Sequence, residues 1–254
     1  MFKELFIRRT ATAAEDGPAP GFLRPGRRIY AVGDPHGCLL KLRVLHAMIA
    51  ADLQARPVPE ALLVHLGDYI DRGPDSAGIV DLLSRGDPVA GVPTVNLMGN
   101  HEAMMLDALP GSGGSPGLWL GNGGDKSLES WGVPAAAQPE VWASHIPPAH
   151  LRFLRALPRQ HVAGGYAFVH AGLRPGVEMA AQTDMDRVWL REPFLSATGP
   201  VVADRPDLVV VHGHTPARFP CVTAARIGVD TGAVAGGPLT AAVLEGERVR
   251  FLQA

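Results

Sequence analysis

Cysteine is scarce in this chain. Cys38 and Cys221 are its whole complement and lie in unrelated contexts, which argues against a disulfide framework and fits a reducing compartment. Also missing is any apolar run long enough to cross a bilayer, so no membrane partner is expected. Nor is there an excess of either charge. Lys and Arg number 23 against 25 Asp and Glu, a net charge of −2, so nothing marks a surface for nucleic acid or anionic lipid. Residues Met1 to Arg9 carry charges and lack the apolar core of a secretory signal. Together these absences lead us to expect a cytoplasmic protein with no obligate partner. What is present is an ordinary globular composition, 46% hydrophobic and 19% charged over 254 residues. That suits one large domain with a sizeable core.

Residues 10–28 are rich in Ala, Gly, Pro and Arg. We read residues 1–27 as a mobile leader and 28–254 as one domain. Arg28 to Val32 is the first expected strand, and it runs into Gly33-Asp34-Pro35-His36-Gly37. Asp34 and His36 are two residues apart and, in extended geometry, face the same way. An oxygen and an imidazole on one side suit Mn, Fe or Zn. The apolar run Ala61 to Leu66 reads as a buried strand ending at Gly67-Asp68-Tyr69-Ile70-Asp71-Arg72-Gly73. A carboxylate at a strand end is well placed to bridge two hard cations, and strand ends are where open α/β sheets bind ligands. Pro74 to Arg85 is expected to be a helix opened by its proline.

Pro93 to Met98 is the next expected strand, ending at Gly99-Asn100-His101-Glu102. Asn100 offers a neutral carbonyl ligand, and His101 can move a proton. Residues 107–150 change character. A Gly/Ser/Pro loop at 111–117 precedes Trp119, Trp131 and Trp142, and we expect short helices on loops forming a cap near the strand ends. Later strands end at His170-Ala171-Gly172 and at His212-Gly213-His214. Arg191, in Trp189-Leu190-Arg191-Glu192, is either an anion clamp or a surface residue. Ile227 to Ala233 and Leu239 to Leu244 read as two more strands, and Val249 to Leu252 as the strand that closes the sheet. His65, inside an apolar strand, reads as a satisfied core histidine, and His46 as surface or packing.

Taken singly, each polar strand end is as well explained by a helix cap or a solvated histidine. The recurrence at five strand ends is what points to a site: Asp34 with His36, Asp68, Asn100 with His101, His170, and His214. The three glycine-framed motifs resemble the GDxHG, GDxxDRG and GNHE signatures of the phosphoprotein phosphatases, within the calcineurin-like metallophosphoesterases. His170-Ala171-Gly172 and Gly213-His214-Thr215 are similar to that family's later histidine motifs. The likeness runs from about residue 28 to the C-terminus and looks closest to the short bacterial serine/threonine protein phosphatases.

The resemblance implies a four-layer α/β/β/α sandwich with two divalent metal ions at the carboxyl edge of its sheets, Mn before Fe or Zn. It assigns Asp34, His36 and Asp68 to one ion and Asp68, Asn100, His170 and His214 to the other. It makes His101 the general acid, oriented by Asp71, and Arg72, Arg191 and Asn100 the phosphate-binding groups. His212 is expected to support His214. The implied reaction is in-line attack of a metal-bridging hydroxide on a phosphomonoester, with no covalent phosphoenzyme. The implied substrate is phosphoserine or phosphothreonine in a protein. The alternative is a symmetrical diadenosine tetraphosphatase, a branch that typically has A-R-G where this chain has Asp71-Arg72-Gly73, and Asp where it has Glu102.

Overall fold

Successive strand residues point to opposite faces, and that alternation builds the layers. In the computed structural model, which describes residues 17–254, the strands are β1 (Gly17–Pro18), β2 (Arg27–Val32), β3 (Glu60–His65), β4 (Thr94–Asn96), β5 (Gln160–Ala163), β6 (Tyr166–Val169), β7 (Val209–His212), β8 (Cys221–Val222), β9 (Arg226–Gly228), β10 (Thr240–Glu245) and β11 (Arg248–Gln253). They form two mixed sheets, in the orders β1-β11-β10-β2-β3-β4 and β5-β6-β7-β9-β8. Ile29, Ala31, Val64, Phe168, Val209, Val211, Ile227, Ala242 and Leu244 project from both sheets into one shared core. The residues between them, Tyr30, Val32, Leu63, Ala241 and Val243, face helices on the outside of the first sheet. Ala167, Val169 and Val210 face a loop-rich layer outside the second. Each fully buried Val, Leu, Ile or Phe contributes about 1.5–3 kcal/mol.

The helices are α1 (Leu39–Ala55), α2 (Ser76–Ser84), α3 (Asn100–Ala108), α4 (Pro116–Trp119), α5 (Asp125–Ser130), α6 (Pro139–His145), α7 (Pro148–Ala156) and α8 (Asp184–Trp189). A π-helical turn, Leu120–Gly124, joins α4 to α5. The result is an α/β sandwich of two packed sheets, consistent with the α/β/β/α arrangement that the motifs imply, with helices over the first sheet and the loop-rich layer over the second. Among the described residues no helix is long and apolar enough to cross a membrane.

Several expectations are corrected. The reading of residues 1–27 as a mobile leader fails for residues 17–27. That segment docks, with Gly17 pairing with Val249 and Pro18 with Arg248. The cause is apolar: Leu23 is fully buried in the shared core, while the Ala19 and Leu23 amides donate to Glu247 O and Gly246 O. Consequently β1, not β11, lies at that edge of the sheet. Residues 1–16 lie outside the described residues. Helix α2 does not open at Pro74. Asp75 caps it, accepting from the Gly78 amide at 2.8 Å. The strand expected over 227–233 stops at Gly228, and a left-handed turn at Gly232 follows. His65 is buried as a core histidine, bonded to His46 Nε2 at 2.8 Å and Asn96 Oδ1 at 2.8 Å. Burial pushes it down to about 3 and His46 to about 4.

Candidate active site

Three parallel strands of the first sheet, β2, β3 and β4, and three of the second, β6, β7 and β9, supply polar groups at their carboxyl ends. Asp68 sits at the centre. Its Oδ2 is 3.3 Å from His36 Nε2 and 3.9 Å from His101 Nε2, and its Oδ1 is 3.3 Å from His170 Nε2. Asn100 Oδ1 lies 2.9 Å from both His170 Nε2 and His214 Nδ1. Asp34 Oδ2 accepts from the His214 amide at 2.8 Å. None of Asp34, His36, Asp68, Asn100, His101, His170 or His214 is more than 6% exposed.

The backbone that holds these groups is strained. His36, Asp68, Asp71, Arg72 and His214 have φ of 38°, 54°, 72°, 67° and 62°, and they are the non-glycine residues with positive φ among the described residues. Such conformations cost of order 1 kcal/mol or more each and persist where surroundings over-determine them. Glu102 is one of those surroundings. Its buried carboxylate accepts from the amides of Gly99 (2.8 Å), Asp68 (2.9 Å), Tyr69 (2.8 Å) and Ile70 (3.3 Å). It thereby ties α3 to the loop that carries Asp68. Gly37 and Gly73 let two site loops cross, since a Cβ on Gly37 would stand 2.6 Å from the Gly73 carbonyl carbon.

Electrostatics follow from packing several ionisable groups out of water. Burial, the Asp230 charge and the Asp68 charge raise the Asp34 carboxyl well above its ordinary value. Burial works against Asp68 too, but His170 and His101 hold its carboxylate well below. His170 is raised to about 9 because Asp68 outweighs its desolvation. Burial lowers His101, with Asp68 and Asp71 opposing, and lowers His214 strongly, with the positive His170 adding to the effect. Glu102 rises to about 7 through burial and its proximity to Asp68.

The remaining expected residues are placed as follows. Asp71 Oδ2 accepts from His101 Nδ1 at 2.6 Å. Arg72 directs Nη1 to His36 Nε2 at 2.9 Å. Arg191 reaches the His214 carbonyl oxygen at 3.5 Å and keeps a buried Nε without a partner. Burial and the nearby Arg72 charge lower it. Arg191 is therefore inside this cluster, not a surface ion pair. His212 does not touch the His214 ring. Its Nδ1 bonds the Gly213 carbonyl oxygen at 3.0 Å, on the peptide group that leads into His214, while its Nε2 meets Arg226 Nη1 at 3.1 Å and its ring packs on Phe194.

A family model, that of the calcineurin-like phosphoesterases, matches residues 27–242. The chain belongs to the calcineurin-like phosphoesterase family. It is 34% identical to serine/threonine-protein phosphatase 1 of Salmonella typhimurium over 86% of this chain and 93% of that one. It is 31% identical to the symmetrical bis(5'-nucleosyl)-tetraphosphatase of Methylococcus capsulatus, over 71% of this chain and 57% of that one. A cold-active protein tyrosine phosphatase structure shares the fold, with a TM-score of 0.61 at 17% identity over 91% of this chain and 78% of that one.

As a calcineurin-like phosphoesterase the protein is a hydrolase, and its donor set fits metal ions. Two groups bring their ligand atoms within 4.8 Å of one another: His36, Asp68 and His101, and Asp68, His170 and His214. Asp68 is common to both. Asp34 Oδ1 and His214 Nε2 are buried without hydrogen-bond partners, and a bound cation would satisfy both. The Nδ1 atoms of His36 and His170 are occupied by the carbonyl oxygens of Ile70 (2.8 Å) and Leu66 (2.9 Å). That fixes their tautomers and turns Nε2 towards the centre, the pattern of a metal-ligating histidine. His101 Nδ1 is instead held by a carboxylate.

Asp230 was not singled out from the sequence. It is 9% exposed, accepts from the Gly232 amide at 2.9 Å, and is the charge that most affects Asp34. Its signal was hidden: the sequence reads as a strand over 227–233, with Asp230 inside it, whereas the strand stops at Gly228 and leaves Asp230 just beyond its end.

Proposed function

We propose that the enzyme hydrolyses phosphoserine and phosphothreonine in proteins. The carrying observation is the buried Asp71–His101 pair. Asp34, His36 and Asp68 would hold one divalent cation, and Asp68, Asn100, His170 and His214 the other. When bound, two such ions supply Lewis-acid polarisation of the phosphoryl oxygens and a water nucleophile at neutral pH.

The rest of the chemistry belongs to the side chains. Arg72 and Arg191 bind phosphoryl oxygens through charge-assisted hydrogen bonds, which strengthen as negative charge develops there. Asn100 orients the phosphate. Water attacks phosphorus in line and the ester P–O bond breaks. His101 gives the proton on Nε2 to the departing oxygen. Its Nδ1–H is held by Asp71 at 2.6 Å, and that carboxylate opposes the lowering of His101 by burial, favouring the imidazolium, the form in which Nε2 carries the proton to be given up. No side-chain nucleophile is required.

An assisted proton transfer matters most for a serine or threonine alkoxide, which is strongly basic. It matters far less for a nucleoside diphosphate, already a stable anion. This supports the phosphoprotein reading over cleavage of a dinucleoside tetraphosphate, the reading favoured by the Methylococcus relative. A side-by-side product assay in Mn²⁺ decides between them. Inorganic phosphate is expected from a phosphoserine or phosphothreonine peptide at a higher kcat/KM than ADP from diadenosine tetraphosphate. The reverse order would transfer the enzyme to the nucleotide substrate while leaving the metal centre in place.

A further inference from the structure

The Asp71 carboxylate has more partners than His101. Trp119 Nε1 donates to both of its oxygens, at 3.0 Å to Oδ1 and 2.9 Å to Oδ2. Ser127 Oγ donates to Oδ1 at 2.6 Å and accepts from the Asp71 amide at 2.8 Å. Ser76 Oγ accepts from that amide at 3.0 Å and lies 3.0 Å from Ser127 Oγ. Asp71, Trp119, Ser127 and Ser76 are fully buried and His101 is 1% exposed. Trp119 and Ser127 come from the capping segment after α3, not from a strand end.

The same segment also grips Arg72. The Arg72 amide donates to Gly123 O at 3.1 Å. Gly123 interrupts the π-helical turn with a φ of 99°, and a Cβ on it would stand 2.9 Å from Arg72 Cγ. A Cβ on Gly124 would stand 2.5 Å from the Trp119 ring. The indole, the turn and the strained Asp71–Arg72 backbone therefore fit together at van der Waals contact.

A carboxylate bonded only to an imidazole is free to rotate about its Cβ–Cγ bond. The indole N–H spans both oxygens and the serine hydroxyl occupies one of them, which fixes the plane of the carboxylate and leaves Oδ2 aimed at Nδ1. We propose that Trp119 and Ser127 are positioning residues for proton transfer: they orient Asp71, and through it His101, towards the leaving oxygen. The inference rests on His101 being the general acid.

The test compares Trp119→Phe, which keeps a ring but removes the N–H, with the wild-type enzyme on two substrates. One is a phosphoserine peptide, whose leaving group needs a proton. The other is p-nitrophenyl phosphate, whose leaving group does not. Loss of a hydrogen bond to a charged group predicts a roughly tenfold or greater fall in kcat on the peptide. KM and metal content by elemental analysis should stay unchanged, and the fall on p-nitrophenyl phosphate should be much smaller. Ser127→Ala should act in the same direction and Ser127→Thr should restore activity. In a His101→Asn background Trp119→Phe should cost nothing further.

Equal losses on both substrates, or an additive loss in the His101→Asn background, would make Trp119 a packing residue only. If Trp119→Phe does not fold, the Ser127→Ala and Ser127→Thr pair decides between positioning and packing on the same two substrates. A His101→Asn enzyme that loses both substrates equally would remove the general acid itself, and this inference with it. A selective loss in His101→Asn without one in Trp119→Phe or Ser127→Ala would remove this inference alone.

Discussion

Asp68→Asn is expected to lower kcat/KM for a phosphoserine peptide by on the order of 10³-fold or more, since it removes the charge that two cations would share. The substitution is nearly isosteric, so the effect is chemical. Both Asp68 oxygens are engaged at the centre, Oδ2 facing His36 and His101 and Oδ1 facing His170. An amide keeps one oxygen and turns the other into a donor that cannot ligate. It also withdraws the negative charge that holds His170 up to about 9. Elemental analysis of the purified variant should show metal lost along with activity. Full occupancy of both sites in Asp68→Asn would show that this carboxylate is not shared.

His101→Asn is expected to behave differently. His101 Nδ1 is committed to Asp71 at 2.6 Å, and its Nε2 stands 3.9 Å from the nearest Asp68 oxygen. Removal of a general acid costs about 10²–10⁴-fold in kcat for a poor leaving group. The loss should shrink for p-nitrophenyl phosphate, and metal content should hold. An equal loss on the two substrates, or a loss of metal, would make His101 a ligand and not the acid.

The polar strand ends were legible because each follows a short apolar run and is framed by glycine. Asp34, His36, Asp68, Asn100, His101, His170 and His214 are brought together by two sheets whose parallel strands end at one edge. The layers were equally legible, being consequences of two-residue alternation in strands such as β2. Less visible was anything set by tertiary contact. Docking of residues 17–23 depends on Leu23 finding the core between the sheets, and no local pattern carries that information. Glu102 was part of a motif, but its four amide contacts exist only because the Asp68 loop folds back over the start of α3. His212 and His214 look equivalent by spacing, and only the turn at Gly213 separates them. Trp119 and Ser127 lie in the stretch 107–150, which reads only as a cap of short helices on loops. They meet Asp71 across separations of 48 and 56 residues.

Chelation followed by metal titration, read as phosphate released from a phosphoserine peptide, is the most direct measurement of the two-cation centre. The chelated chain should be inactive. Activity should return with added Mn²⁺ and saturate at about two ions per chain, as two sites sharing Asp68 require. Phosphate release that survives chelation with no metal left in the protein, or that saturates at a single ion, would contradict it.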